Sequence, residues 1–189
     1  VQLFPTPLVI NEYPHDYSKE LEWILAHECQ KENRQFDERV RGKSVYHNKQ
    51  SLDTFILDKP ELVNIRKWIE LKLKEFVNTI MGSDNELVIT QSWLNKASKG
   101  ESHHDHIHPN SIISGVWYPQ INENLPPISF KDRFQNCTSL SIKDYNVFNS
   151  STFMLPLKMG ELILFPSSLS HSVPANQSDM VRVSLSFNT

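Results

Sequence analysis

The chain has 189 residues, 39% of them hydrophobic and 22% charged, with a formal net charge of −3. This is the composition of an ordinary globular protein, and the length fits one domain. It excludes a disordered or fibrous chain, and no basic excess advertises nucleic-acid binding.

The opening stretch Val1 to Pro7 has no basic region and two early prolines, so it does not read as a signal peptide. Apolar runs such as Ile112-Ile113 and Ile163-Leu164-Phe165 are strand-sized, far below the ~20 residues of a membrane helix. The two cysteines, Cys29 and Cys137, form neither a disulfide framework nor a zinc motif. They read as reduced thiols in a cytoplasmic setting.

In chain order, Ser18 is placed to cap a helix over Lys19–Glu32, with Leu21, Ile24, Leu25 and Cys29 on one face. Asn33 to Gln50 is polar and reads as a surface loop. A second helix starts near Pro60 and carries Leu62, Ile65, Ile69, Leu73, Phe76 and Ile80 at helical spacing. Gly82 sits at its expected stop. The pattern changes at Glu86. Short β-rich runs follow at 87–94, 112–118, 128–131, 138–142, 152–157, 161–165 and 181–187. Two helices ahead of many short strands predict an α+β, mainly β layout built on a barrel or sandwich.

Histidine carries the chemistry. His103, His104, His106 and His108 fall within six positions, and neutral imidazole is the commonest protein metal ligand. In a strand, residues i and i+2 share a side, so His106 with His108, or His104 with His106, present two nitrogens to one ion. His103 and Asp105 form a literal His-x-Asp pair. A solvated, histidine-rich loop is the bland alternative. Further on, Gly160 to Pro166 reads as turn, buried strand and stop, and His171 follows. In Arg182 to Phe187, Arg182, Ser184 and Ser186 alternate with Val183, Leu185 and Phe187. An arginine on the polar face of a barrel strand points to a lumen, where it is costly unless paired. A carboxylate ligand makes a planar, bidentate partner for it, and an internal Asp or Glu is the alternative.

The order His-x-His-Pro-Asn-Ser, Ser-Gly-Val-Trp-Tyr, Gly-Glu-Leu-Ile-Leu-Phe-Pro-Ser, His171 and Arg182 resembles the iron(II)/2-oxoglutarate-dependent oxygenase superfamily. More narrowly, it is similar to the small oxygenases of bacteria and marine phages, whose start Phe4-Pro5-Thr6-Pro7-Leu8 also resembles. The resemblance implies a double-stranded β-helix (jelly roll, cupin-like) with the N-terminal helices packed on one sheet. It implies one oxygenase domain over 1–189, with a mostly helical part at 1–85 and the jelly-roll core at 86–189.

What the resemblance implies for the site is as follows. His171 matches the distal ligand, and His106 the first. The superfamily usually has His-x-Asp, giving two histidines and a carboxylate on one face of iron. Here His108 stands in the Asp position. The expected ligands are therefore His106, His108 and His171, with Asp105 or His104 as alternatives. Arg182 matches the partner of the distal 2-oxoglutarate carboxylate, helped by Ser184, Tyr118 and Ser114. Trp93, Asn95 and Trp117 are expected to line a substrate pocket, and the segment 131–150 reads as a lid or substrate loop. The implied activity is a dioxygenase that uses Fe(II), 2-oxoglutarate and O2, hydroxylates a C–H bond and releases succinate and CO2.

Two rival readings stay open: a cupin-type metal protein without 2-oxoglutarate, and a non-catalytic jelly-roll binding module. The prime substrate stays unidentified, neither membrane nor nucleic acid is indicated as a partner, and there is room for a homo-oligomer. If the chain is phage-encoded, the setting is the host cytoplasm.

Overall fold

Two antiparallel β-sheets face each other in the computed structural model, which describes residues 4–31, 48–132 and 141–189. The elements in chain order are β1 (Val9–Glu12), α1 (Ser18–Ala26), β2 (Gln30–Lys31), β3 (Lys49–Gln50), α2 (Val63–Thr79), β4 (Gln91–Ala97), β5 (His103–His106), β6 (Ile113–Gln120), β7 (Ile128–Lys131), β8 (Thr152–Leu155), β9 (Glu161–Pro166), β10 (Ser170–Val173) and β11 (Arg182–Asn188). The larger sheet runs β1-β9-β6-β11-β4-β3-β2 and the smaller β5-β10-β7-β8. From β4 onward the chain alternates between the two sheets, except that the consecutive β7 and β8 pair within the smaller one, which is the winding of a jelly roll.

Two apolar cores follow from this layering. On the outer face of the larger sheet, Ile65, Ile69, Leu73 and Phe76 of α2 pack with Trp117, Leu162, Leu164, Val183, Leu185 and Phe187. Between the sheets, Val116, Tyr118, Phe130, Ile163 and Phe165 pack with Leu155 and Leu157. The alternation in β11 therefore divides: Val183, Leu185 and Phe187 pack with the helices, Phe187 also reaching the edge of the cavity, and Ser184 and Ser186 face the space between the sheets. The close seam between β6 and β11 depends on Gly115. A Cβ at this position would lie 2.2 Å from the Phe187 ring, which fills the place of a side chain.

Several expected elements shift. The first helix covers only Ser18–Ala26. Ser18 is not its cap; instead Asp16 accepts from the Ser18 amide and hydroxyl, and Tyr17 stands at the N-cap position. Lys96 Nζ donates to the carbonyls of Leu25 and His27 and ends the helix there, leaving Cys29 beyond it. Leu25 is exposed. In the second helix Pro60 opens a 3-10 turn before α2, and Val77 rather than the exposed Ile80 completes the buried face. The strand expected at 87–94 runs Gln91–Ala97. Most of the expected loop at 33–50 and strand at 138–142 lies outside the described residues, as does Cys137. Within them, Lys49–Gln50 is β3, and Ser141 and Ile142 are not in a strand. The polar strands β5 and β10 lack the β-rich composition that marks the others.

Candidate metal and co-substrate site

Strand pairing builds the site. β10 lies between β5 and β7, and its register sets His171 opposite His106. The next pair is Val173 with His103, so β5 spends three residues where β10 spends two. This bulge turns His103 and His106 to the same side, where their rings stack with centroids 4.5 Å apart. His104 and Asp105 are thereby turned out of the cavity. Lys131 on β7 pairs with the Asp105 carboxylate, and neither Asp105 nor His104 lines the cavity.

His108 follows β5 and precedes a turn whose Asn110 takes the left-handed conformation (φ +64°). Its amide donates to the Ser167 carbonyl at 3.0 Å, which fixes the backbone where it leaves the strand. The result is a cluster of His106, His108 and His171 whose ligand nitrogens all lie within 4.8 Å of one another. Among the described residues, no other group of three potential ligands is so arranged.

The protonation of the cluster suits a metal. His106 Nδ1 donates to the His104 carbonyl at 2.8 Å, and His171 Nδ1 to the Leu169 carbonyl at 2.9 Å. Each bond holds the proton on Nδ1 and leaves Nε2 with a lone pair. Burial, reinforced by the His106 ring nearby, lowers His171 to about 3 and His108 to about 4. His171 and His108 are therefore neutral at pH 7. Behind His108 runs a polar chain. Asn188 Nδ2 is 3.4 Å from its Nδ1, Ser114 Oγ donates to Asn188 Oδ1, and Ser114, Ser167 and Ser111 hydroxyls connect at 2.8 and 2.7 Å. None of Asn188, Ser167 and Ser111 was singled out from sequence. Asn188 continues the inward Arg182, Ser184, Ser186 alternation and was within reach of that pattern.

The cluster opens on a cleft between the sheets, partly open to solvent. Arg182 lies on its wall, 5% exposed, at the far end of β11 from Asn188. Among the described residues no acidic side chain pairs with it, and its Nε has no hydrogen-bond partner. Its guanidinium sits over the Tyr118 ring, 5.1 Å from the centroid. The Tyr118 hydroxyl is likewise unpartnered, and burial pushes it up to about 12 despite the cation beside it. Ser184 lines the same wall.

The remaining expected residues divide. Trp93 and Asn95 of β4 line the cavity. Trp117 does not: it faces the helices, fully buried, and its Nε1 donates to the Gly160 carbonyl at 3.0 Å. Plain strand alternation explains this: Trp117 pairs with the outward-facing Leu185 and Leu162, on the face opposite Ser114, Val116 and Tyr118. Ser114 lines the cavity at the His108 end, paired with Asn188, and is not brought to Arg182. Of the segment 131–150, Tyr145 and Phe148 are exposed and do not line the cavity. Ser186 lines it as its alternation with Arg182 and Ser184 implies, whereas Asn48 is a described lining residue that sequence reasoning missed.

Residues 91–188, β4 to β11 and so the whole two-sheet winding, match the 2OG-Fe(II) oxygenase family. The chain belongs to this family. The 2OG-Fe(II) oxygenase has solved structures that share its fold at low identity. An oxidoreductase of the 2OG-Fe(II) oxygenase family from Burkholderia pseudomallei is 12% identical with a TM-score of 0.65, over 96% of this chain and 82% of that one. A prolyl hydroxylase from Trichoplax adhaerens, in complex with a hypoxia inducible factor peptide fragment, is 15% identical (TM-score 0.60; 96% and 82%). The epimerase SnoN, in complex with Fe3+, alpha ketoglutarate and nogalamycin RO, is 14% identical (TM-score 0.63; 96% and 77%). No curated protein matches the sequence. The oxygenase uses Fe(II) and 2-oxoglutarate. Its residues suit both groups, with three imidazoles at one place and an orphaned buried guanidinium and phenol at another.

Proposed function

We propose that the chain is one catalytic domain in which His106, His108 and His171 hold Fe(II), while Arg182, Tyr118 and Ser184 take the distal carboxylate of 2-oxoglutarate. The observation that carries this reading is Arg182, a buried guanidinium with no internal acid and an unpartnered Nε on the cavity wall. Burying a charge without a partner costs several kcal/mol or more, so the fold tolerates it where a ligand supplies the counter-charge. A planar carboxylate meets the guanidinium fork bidentately, and the Tyr118 hydroxyl adds a donor.

When bound, the metal and 2-oxoglutarate supply the oxidation of a substrate C–H bond to an alcohol, with O2 consumed and succinate and CO2 released. The chain's own residues orient these groups. The carbonyls of His104 and Leu169 keep two imidazole Nε2 atoms free to ligate. Asn188 holds the third ring from behind, and Phe165 and Val116 keep that end of the cavity apolar. Three neutral ligands leave a divalent ion its full double charge; the chelating carboxylate of 2-oxoglutarate offsets one unit of it and the distal carboxylate offsets Arg182, so the loaded site keeps one net positive charge. We place the activity in the cytoplasm, where the free thiol of Cys29 stays reduced.

The deciding experiment measures 2-oxoglutarate affinity and succinate release for the Fe(II)-loaded protein and for Arg182→Met. Loss of both in the variant, with iron still bound, supports the reading. Unchanged 2-oxoglutarate affinity, or no binding by the parent protein, overturns it in favour of a cupin-type metal protein or a binding module.

A further inference from the structure

The cavity contains a second set of orphaned donors, away from Arg182. Trp93 and Ser186 are direct cross-strand partners on β4 and β11 and both line the cavity. The Trp93 ring lies 5.8 Å from that of His108. Its Nε1 is buried and has no hydrogen-bond partner. Indole N–H only donates, so its missing partner is an acceptor.

Ser186 is held in a way that makes it a donor as well. Asn48 Nδ2 donates to Asn95 Oδ1 at 2.9 Å, and Asn95 Nδ2 donates to Ser186 Oγ at 3.0 Å. This buried relay occupies a lone pair of the serine oxygen, while its hydroxyl hydrogen goes to no acceptor among the described residues. Two neutral donors thus sit side by side, next to one member of the histidine cluster. Ser186 is four residues from Arg182 along β11, about 13 Å at strand spacing, so a diacid clamped by Arg182 leaves this pair to another molecule.

The charge of the wall narrows what that molecule presents. No Asp, Glu or Lys lines the cavity among the described residues, and Arg182 is the lining guanidinium. An ammonium would lie here without a counter-ion, and a carboxylate would meet no cation of its own. We propose that Trp93 Nε1–H and Ser186 Oγ–H together receive an uncharged carbonyl oxygen of the prime substrate, an amide being the substrate class, and hold the neighbouring C–H bond beside the metal. This rests on the preceding assignment of the metal and 2-oxoglutarate sites and adds the substrate's recognition to them.

The test uses full-length protein loaded with Zn(II), with and without 2-oxoglutarate, its tryptophans labelled with nitrogen-15. The sequence has four tryptophans, and Trp93→Phe identifies the Trp93 indole signal by its disappearance. The titrants are N-methylacetamide, acetate and methylamine at equal concentrations. The expected result is a saturable downfield shift of the Trp93 Nε1–H signal with N-methylacetamide only, in the 2-oxoglutarate-loaded protein. Ser186→Ala weakens that affinity roughly threefold to tenfold, the worth of one neutral hydrogen bond, and Ser186→Thr restores it. A signal unmoved by the amide, or moved equally by acetate, overturns the proposal. So does a signal already displaced by 2-oxoglutarate alone, because the donors then belong to the co-substrate. Failure of 2-oxoglutarate to bind, read in the same samples, instead overturns the preceding assignment.

Discussion

His171 and His106 are Cα partners across the β10/β5 ladder, and their ring centroids lie 4.3 Å apart. Sixty-five positions of sequence separate them, yet one strand register makes them adjacent. With His108, 5.2 Å from His171 by ring centroid, they leave room for one ion between their nitrogens.

His171→Ala and His106→Ala should each abolish stoichiometric Fe(II) or Co(II) binding at micromolar metal. Asp105→Asn and His104→Ala should retain it, because Asp105 pairs with Lys131 and His104 stands outside the cavity. Metal content after gel filtration measures this. Iron retained in His106→Ala but lost in Asp105→Asn would restore the His103-x-Asp105 alternative, in which His171 stays a ligand.

Arg182→Met should separate stability from ligand affinity. Burial disfavours the charged form of this guanidinium, which has no acid beside it. Removing the charge should stabilise the ligand-free protein by about 1–4 kcal/mol, the range seen when buried ionic groups are replaced by apolar ones. Denaturant unfolding without 2-oxoglutarate should show the gain, and adding 2-oxoglutarate should stabilise the parent protein but not the variant.

Asn188→Ala should weaken metal affinity through His108. The amide lies 3.4 Å from its Nδ1 and is itself held by Ser114. With Nε2 on the metal the ring carries its proton on Nδ1, so the Asn188 amide must turn its oxygen to that proton, and loss of such an acceptor typically costs 10–100-fold in affinity. A competitive chelator titration reads the change. In a Co(II) derivative the visible spectrum should shift as well, which a general loss of stability would not produce.

Gly115→Ala should destabilise the fold at the edge of the cavity, where Gly115 and Phe187 both contribute to the lining. The new methyl would meet the Phe187 ring at 2.2 Å, and overpacking of this kind typically costs about 1–3 kcal/mol. Thermal unfolding checks it. Phe187→Leu in the same chain should recover part of the loss, since it removes the far edge of the ring.

Much of the site was legible in the sequence because its signals are local. The spacing of the histidines, the stop after Phe165, and the alternation of Arg182, Ser184 and Ser186 with Val183, Leu185 and Phe187 each lie within a few residues. Those patterns sufficed for a mainly β fold, a metal cluster and an inward arginine. The helical face from Leu62 to Phe76 was readable for the same reason, as a single period of apolar residues.

What the tertiary structure alone decided depends on register and on distant partners. Simple alternation makes His104 and His106 neighbours on one face. The bulge against β10 overrides it, bringing His103 beside His106 and turning Asp105 to Lys131. Trp117 and Tyr118 are adjacent aromatics that alternation sends to opposite faces, and the packing of the sheet decides that the helices cover Trp117 while Tyr118 turns to Arg182. The absence of an acid at Arg182, the relay ending on Ser186 and the orphaned indole of Trp93 arise from residues dozens of positions apart. A side chain's periodicity is written along the chain, whereas the identity of the group it faces is set by how strands slide past one another.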